Sequence, residues 1–340
     1  AVPDSAVCNE AVKLAKRHKF AQLSGFVNGV LRNIARNIDS VQLDTLSIRY
    51  SMPQWIVDRF VAAYGEKKAE EIFKAFHNKS TISIRTNLTR CTPDELRATL
   101  EAEGVTVTAV DELNYAFVIS GFDYLNGLQS FRDGLFYVQD ISSMLVAQTA
   151  APKKGDYVID VCAAPGGKST HIAELLQGSG HVLARDLTDN KVDMIEENIE
   201  RHGLNNMSAE VWDATVPDAD SAGKADILIC DLPCSGLGVL GRKKDIRYKM
   251  TPESVDELAA LQRQILDTVH TYVKPNGVLV YSTCTIDEAE NEDNVRWFIE
   301  KHPEFELDKN FAEGTGMKQI LPGEHGSDGF FIARFIKSKL

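Results

Sequence analysis

Three features of the 340-residue sequence predict an α/β protein with a Rossmann-like, doubly wound sheet, preceded by a small α+β unit and a helical N-terminal segment. From residue 155 onward, short apolar and β-branched runs alternate with helical patterns, which implies a parallel sheet. The first of these runs leads through Pro165-Gly166-Gly167 into a helix, a strand–turn–helix junction. Between residues 80 and 150 the hydrophobic period changes from helical to alternating, which marks a separate mixed unit.

Taken in order, Ala11, Leu14 and Ala15 share one helical face, and Phe26, Val27, Val30, Leu31 and Ile34 share another. So short a segment makes little core of its own, and residues 1–48 read as the last helices of a longer helical domain. Residues 49–145 read as a helical linker plus a small RRM-like α+β subdomain. Here one helix is expected from Pro53 towards Phe76, with Trp55, Ile56, Phe60 and Val61 on its apolar side. A strand from Thr81 to Leu88 follows, then a helix from Pro93 to Glu103 capped by Thr92, then strands at Val105–Val110 and Tyr115–Ile119. Residues 146–340 carry the large sheet. Its strands are Tyr157–Cys162, His181–Asp186, Ala209–Trp212, Asp226–Cys230 and Val278–Thr283. Val192, Ile195 and Ile199, and then Leu258, Leu261, Ile265 and Val269, mark intervening helices. Phe330–Ile336, after a Gly-rich loop at 311–329, is expected to pair antiparallel at the side of the sheet.

Hydrophobic residues at 44% and charged residues at 25% are an ordinary globular balance, which excludes collagen-like and disordered chains. No run approaches the roughly 18 apolar residues of a membrane span, and the mean hydropathy is -0.19, so no membrane partner is expected. The six cysteines are sparse and follow no secretory signal, which points to a reducing cytoplasm. They form no C-x-x-C pair or His/Cys cluster at zinc spacing, so no metal is expected. A monomer is expected. A net charge of -12 argues against a polyanionic partner when taken alone. Its distribution argues otherwise, because residues 1–90 hold 14 Lys/Arg against 8 Asp/Glu and the remainder is strongly acidic.

The first strand of the large sheet ends in DVCAAPGGKST (160–170). Its turn presents backbone N–H groups to an anion, yet it is neither a Walker A loop nor a G-x-G-x-x-G turn. Asp186 ends the second strand, where a carboxylate accepts both hydroxyls of a ribose. Asp213 follows the third, suitably placed for an adenine amino group. A single strand-end Asp is commonly a turn former, but three acidic strand ends in register suit a nucleoside carrying a carboxylate, namely S-adenosylmethionine.

The fourth strand ends in Asp231-Leu232-Pro233-Cys234-Ser235-Gly236 and the fifth in Ser282-Thr283-Cys284-Thr285. Ligands bind beyond the carboxyl ends of such strands. If the two strands are neighbours, Cys234, Cys284 and Asp231 converge where a methyl group would be presented. Carbon 5 of a pyrimidine is too poor a nucleophile to take a methyl unaided. A thiolate adding to carbon 6 makes it nucleophilic, and a second thiol can then assist release.

DVCAAPGGKST, DLPCSG and YSTCT, in this order, resemble the RNA 5-methylcytosine methyltransferases, most closely the bacterial 16S ribosomal RNA enzymes of the Sun/RsmB family. FVNGVLRN (26–33), SIRTN (83–87), FYVQDISSM (136–144), GRKKDIRY (241–248) and DGFFIARF (328–335) extend the likeness over nearly the whole chain. The resemblance implies a Rossmann-like methyltransferase domain preceded by a NusB-like helical RNA-binding domain, of which residues 1–48 would be the end. It implies Cys284 as nucleophile, Cys234 as the group assisting release, and Asp231 against the cytosine ring. Cys162, Ala163, Ala164, Pro165, Gly166, Gly167 and Lys168, with Asp186, Asp213 and Asp231, would hold the cofactor. The implied partner is 16S small-subunit ribosomal RNA, the alternatives being transfer RNA or a non-catalytic role in ribosome assembly. Charge and position place Arg242, Lys243, Lys244 and Arg247 on phosphates flanking an extruded base, with Arg85, Lys16 and Arg17 extending the track. An amino-group methyltransferase would carry Asn/Asp-Pro-Pro-aromatic after the fourth strand, and Asp231-Leu232-Pro233-Cys234 departs from that pattern. A binding module would have no use for both Cys284 and Cys234.

Overall fold

Helix α1 (Asp4–Arg17) opens with an acid and closes on Lys16-Arg17, the charge order that suits a helix dipole. Helix α2 (Ser24–Asn37) and the short α3 (Leu46–Arg49), capped by the Thr45 side chain, complete a unit spanning Ala1–Met52. The expected apolar face of α2 stays open, with Phe26 71% and Ile34 51% exposed. This is a computed structural model, and it describes residues 2–40, 42–78 and 81–339. Ala1, Val41, Lys79, Ser80 and Leu340, which fall within the expected domain spans, lie outside the described residues.

The second unit, Pro53–Leu340, begins with α4 (Gln54–Tyr64) and α5 (Glu66–His77). The single helix expected from Pro53 to Phe76 is therefore two. Gly65 sits between them at φ 76, a left-handed conformation that no α-helix can continue and that glycine adopts without strain. Phe60 and Phe73 stack across the break with ring centroids 5.7 Å apart.

Next comes a βαββαβ unit: β1 (Ile82–Thr86), α6 (Pro93–Ala102), β2 (Thr106–Val110), β3 (Leu113–Ser120), α7 (Gln129–Arg132) and β4 (Phe136–Val138). Thr92 caps the N-terminus of α6, as the sequence predicts, and Glu95 completes a capping box with it. The strands form an antiparallel sheet in the order β2-β3-β1-β4, the ferredoxin-like arrangement.

Helix α8 (Ile141–Ala150) leads into the large sheet, whose elements alternate as expected. They are β5 (Tyr157–Asp160), α9 (Gly167–Leu175), β6 (His181–Asp186), α10 (Asp189–His202), β7 (Met207–Val211), β8 (Ala225–Asp231), α11 (Ile246–Lys249), α12 (Pro252–Val269), β9 (Val273–Thr283), α13 (Glu292–Lys301), β10 (Phe305–Leu307), β11 (Met317–Ile320) and β12 (Phe330–Lys337). Strand order is β10-β12-β9-β8-β5-β6-β7, and β11 also pairs with β12. β12 runs antiparallel to β9, as predicted, but it is interior to the sheet because β10 and β11 pair beyond it. The stretch 311–329 is thus not all loop.

Successive residues of β8 bury on opposite faces, Leu228 and Cys230 against α12 and α13, and Ile227 and Ile229 towards α8 and α9. Both faces are covered, so the strand reads as one apolar run rather than an alternation. Pairing brings Asp160 level with Ile229 and Ala184, and Asp231 level with Ser282. The strand-end acids therefore line one edge.

A buried polar junction joins the small sheet to the large one. Arg85 of β1 is fully buried, ion-paired with Glu174 of α9, and donates to Gln139 Oε1 (2.9 Å) and Thr170 Oγ1 (3.1 Å). Asn87 reaches the carbonyl of His202 at 3.2 Å.

Candidate active site

Strand β5 releases the chain at Asp160, and the loop 161–166 turns it into α9. The amides of Gly167, Lys168 and Ser169 open that helix and have no intrahelical acceptor. Ala163 N–H is spent on the Arg185 carbonyl and Ala164 N–H on Asp186 Oδ2 (2.9 Å each), which pins the loop across β6. Asp160 is buried. One of its oxygens accepts from Ser169, and the other, Oδ1, has no hydrogen-bond partner. Burial, with Asp231 nearby, pushes its carboxyl up to about 7.

This cradle fits S-adenosylmethionine. Open amides at a helix N-terminus suit a carboxylate, and an orphaned buried acceptor suits an ammonium group. Asp186 is placed at the end of β6, but its carboxylate already receives the Ala164 and Leu187 amides and Lys191 Nζ (2.8 Å). It braces the loop. Asp213, exposed just past β7, accepts from the Thr215 amide and hydroxyl, and those bonds hold its carboxyl below the ordinary range.

The chemistry-bearing residues converge because β8 and β9 are adjacent parallel strands. Cys234 Sγ and Cys284 Sγ lie 3.2 Å apart, both as free thiols. Asp231 Oδ2 is 2.6 Å from Lys168 Nζ, and Asp231 Oδ1 accepts from Ser282 Oγ at 2.8 Å. The Lys168 side chain thus reaches across from α9 to Asp231, where the sequence placed it only on the cofactor loop. Burial opposes the charge on Lys168, yet Asp231, Asp160 and Cys284 raise its pKa and keep it an ammonium.

The two thiols are not equivalent. A hydrogen bond from Cys234, helped by Lys168 and Lys243, holds Cys284 below the usual thiol range against its burial. The same bond, burial and the neighbouring Glu290 push Cys234 well up. Lys168 and Lys243 offset Asp231 on the Cys284 side, and Glu290 stands on the Cys234 side, so Cys284 is the more acidic thiol of the pair.

A buried support beneath the thiols escaped the sequence reading. Glu290 accepts from the Ser235 amide (2.9 Å) and hydroxyl, and Gln262 Nε2 bridges Glu290 Oε2 (2.9 Å) to the Pro233 carbonyl (2.8 Å). Ser235 Oγ and Thr285 Oγ1 are 2.9 Å apart, so the two cysteine loops are bonded to each other one residue past each thiol. Gly238 N–H donates to the Cys284 carbonyl at 3.1 Å. A Cβ at Gly238 would stand 2.3 Å from Gly329 O and 2.8 Å from Cys284 O, so only glycine fits this approach. In sequence Glu290 is one acid in an acidic run, which reads as a solvated turn; nothing local distinguishes it.

Two of the expected RNA contacts are corrected. Arg85 is enclosed in the junction above, because both faces of β1 are covered. Arg247 is buried, with its guanidinium towards the Leu240 carbonyl (3.4 Å). Arg242 is exposed but already paired, with Asp140 (2.9 Å), Asp328 (2.6 Å) and the Thr81 carbonyl (3.0 Å). Lys243 and Lys244 are exposed in the same loop, and Lys16 and Arg17 are exposed in the first unit.

The family model described as 16S rRNA methyltransferase RsmB/F matches residues 147–336. The RsmF/B-like ferredoxin-like domain matches 52–122, and the NusB family matches 1–36. The probable ribosomal RNA small subunit methyltransferase B of Bacillus subtilis is 38% identical over 99% of this chain and 79% of its own length. The ribosomal RNA small subunit methyltransferase B of Shewanella oneidensis is 32% identical over the same shares. Among solved structures, a methyltransferase homolog protein from Pyrococcus horikoshii aligns with a TM-score of 0.72 at 26% identity, covering 86% of this chain and 97% of that one. NSun6 from Pyrococcus horikoshii with SFG shares the fold, with a TM-score of 0.76 at 24% identity over 85% and 99%.

Proposed function

The chain belongs to the RsmB/F family of 16S rRNA methyltransferases, which use S-adenosylmethionine, and on that premise we propose that it methylates carbon 5 of an unpaired cytosine in 16S ribosomal RNA through a covalent bond from Cys284 to carbon 6. The observation that carries this reading is the asymmetric thiol pair: Sγ atoms 3.2 Å apart, with Lys168 beside Cys284 and Glu290 beside Cys234. A carbon-5 methylation needs a thiolate to add and a donor to help it leave, whereas a methylation at nitrogen or oxygen needs neither.

The cofactor supplies an electrophilic methyl group. The amides at the start of α9 and Asp160, Asp186 and Asp213 hold it, and the chain's side chains do the rest. Cys284 adds to carbon 6, and the ring electrons move onto carbon 5. Asp231 and Lys168, an acceptor beside a donor, face the amino group and N3 of the ring, where Lys168 offsets the charge that develops. After transfer, a water molecule takes the carbon 5 proton, and the electrons of that bond restore the double bond and expel the Cys284 sulfur as thiolate. Cys234, kept protonated by burial and Glu290, donates a hydrogen bond to that leaving sulfur. Lys243 and Lys244 are placed for flanking phosphates, and the target base must be unstacked to enter.

Purified enzyme incubated with a 16S ribosomal RNA transcript and labelled S-adenosylmethionine tests the reading. Digestion to nucleosides should put the label in 5-methylcytidine. Label in a base methylated at nitrogen, or in ribose, overturns it.

A further inference from the structure

The basic loop that follows Cys234 holds an acidic group that a phosphate would not choose. Arg242 precedes the exposed Lys243 and Lys244, and it lies between Asp140, the N-cap of α8, and Asp328, in the turn that joins β11 to β12. Its guanidinium donates to Asp140 Oδ2 (2.9 Å) and to the Thr81 carbonyl (3.0 Å), and its Nε stands 2.6 Å from Asp328 Oδ2. Two carboxylates therefore share one cation, and the group is net negative beside the loop where a polyanion must pass. A phosphate is repelled there, whereas a neutral group rich in N–H donors is not.

The two acids are not equally supplied. Asp140 accepts from the Ser142 amide (3.0 Å) and hydroxyl (2.6 Å), from the Asp328 amide (3.3 Å) and from Arg242. Among the described residues, Arg242 is the only donor to the Asp328 carboxylate, which has about four acceptor positions. Burial, with Asp140 nearby, pushes the Asp328 carboxyl up to about 6, as suits an acid short of donors. Asp328 lines a cavity of about 240 Å³ with Arg242, Asn78, Pro322 and, from α5, Ala75 and Phe76. That is smaller than the roughly 300–1,000 Å³ of sites for drug-sized ligands, so it suits a single ring system. The Gly329 amide, next to Asp328, donates to the Gly238 carbonyl (2.9 Å), and the Gly238 amide donates to the Cys284 carbonyl (3.1 Å). The cavity thus lies two backbone hydrogen bonds from the nucleophile, within the reach of one nucleotide.

We propose that this cavity receives the base of a nucleotide adjacent to the target cytosine and that Asp328 selects guanine there, an inference that rests on the reading of the substrate given above. Guanine is the RNA base whose Watson–Crick edge sets two N–H donors, at N1 and N2, side by side, and one carboxylate accepts both. Adenine and cytosine place a ring acceptor beside the amino group, and uracil flanks its N–H with carbonyls, so each turns a lone pair towards the acid. Phe76 and Pro322 give the ring apolar surface, and the exposed Asn78 offers an amide donor for O6. Lys243 and Lys244, next in the chain, are left for the phosphates on either side, which position the strand while the base contact specifies it. Arg242, expected on a phosphate, instead holds the acid that reads the base.

Transcripts of 16S ribosomal RNA varied at the two nucleotides flanking the methylated cytosine test this, read as kcat/KM for 5-methylcytidine formation by the full chain. At one of the two positions guanosine should exceed adenosine, cytidine and uridine by at least about tenfold, the worth of a hydrogen bond to a charged acceptor. Inosine, which keeps N1–H and lacks the N2 amino group, should fall between guanosine and adenosine, and this arm reads the contact even if the variant below does not fold. Asp328→Asn should level the four bases, whereas a merely structural loss would lower all of them alike and keep their ranking. Equal wild-type rates for all four bases at both positions, inosine equal to guanosine, or an unchanged ranking in Asp328→Asn would overturn the proposal. Label outside 5-methylcytidine in the same digests would instead overturn the carbon-5 reading beneath it.

Discussion

Cys284 and Cys234 are chemically identical side chains given different roles by what surrounds them. The Lys168 ammonium, itself held by Asp231 at 2.6 Å, lies on one side of the pair, and the Glu290 carboxylate lies on the other. Because the folded site holds Cys284 below the usual thiol range, activity rises with pH through that ionisation and levels off at lower pH than an ordinary thiol would allow. Lys168→Gln removes the cation and leaves Asp231 unneutralised, so the ascending limb moves to higher pH. At pH 7, kcat/KM then falls roughly tenfold, about 1.4 kcal/mol of lost charge stabilisation. On the alkaline side a smaller deficit should remain, because Lys168 no longer offsets the charge that develops on the ring. A pH profile with an unmoved midpoint would mean that Lys168 does not activate the thiol. The cysteines and Asp231 were legible from their strand-end motifs. Glu290 was not, because its meaning depends on a fold that turns an acidic segment inward beneath the Ser235 loop.

Elements were legible where a local rule governs them. The Thr92 cap and the β-branched runs of the large sheet appear where the residues predict them. The break at Gly65 was missed because hydrophobic periodicity runs across it, with Phe60 and Phe73 stacked on either side of the turn. Arg85 misled for a related reason. On a strand read in isolation, an arginine belongs to the solvent face; here α9 covers that face and supplies Glu174. The correction has a consequence for stability. Arg85→Leu strands a buried carboxylate and should cost roughly 3–5 kcal/mol in chemical denaturation, while Arg85→Leu with Glu174→Leu should recover much of it. A single variant as stable as the wild type, or one that stays folded and binds RNA weakly, would return Arg85 to the RNA surface.

Across the whole molecule, a net charge of -12 coexists with a polyanionic substrate because the charge is unevenly spread. Two of the basic residues expected on the RNA side are already paired with acids: Arg85, inside the fold, with Glu174, and Arg242, at the surface, with Asp140 and Asp328. Lys243 and Lys244 remain exposed beside the thiol loops. If they meet phosphates, changing both to alanine lowers the slope of log K against log salt by about 1.5–2 and weakens binding alike for different RNA sequences. A slope identical to the wild type would place the phosphate contacts elsewhere. Sequence could locate the basic loop but not assign its members, since pairing with distant acids is a property of the folded chain.

The central claim is that one thiol bonds the base and the other helps release it, and trapping tests it most directly. Cys234→Ala enzyme, incubated with 16S ribosomal RNA and S-adenosylmethionine, should accumulate a protein–RNA band that survives a denaturing gel. Proteolysis and mass spectrometry should place the cytosine on Cys284, and Cys284→Ala should give neither band nor product. Normal turnover by Cys234→Ala without an adduct, or an adduct on any other residue, would contradict the account.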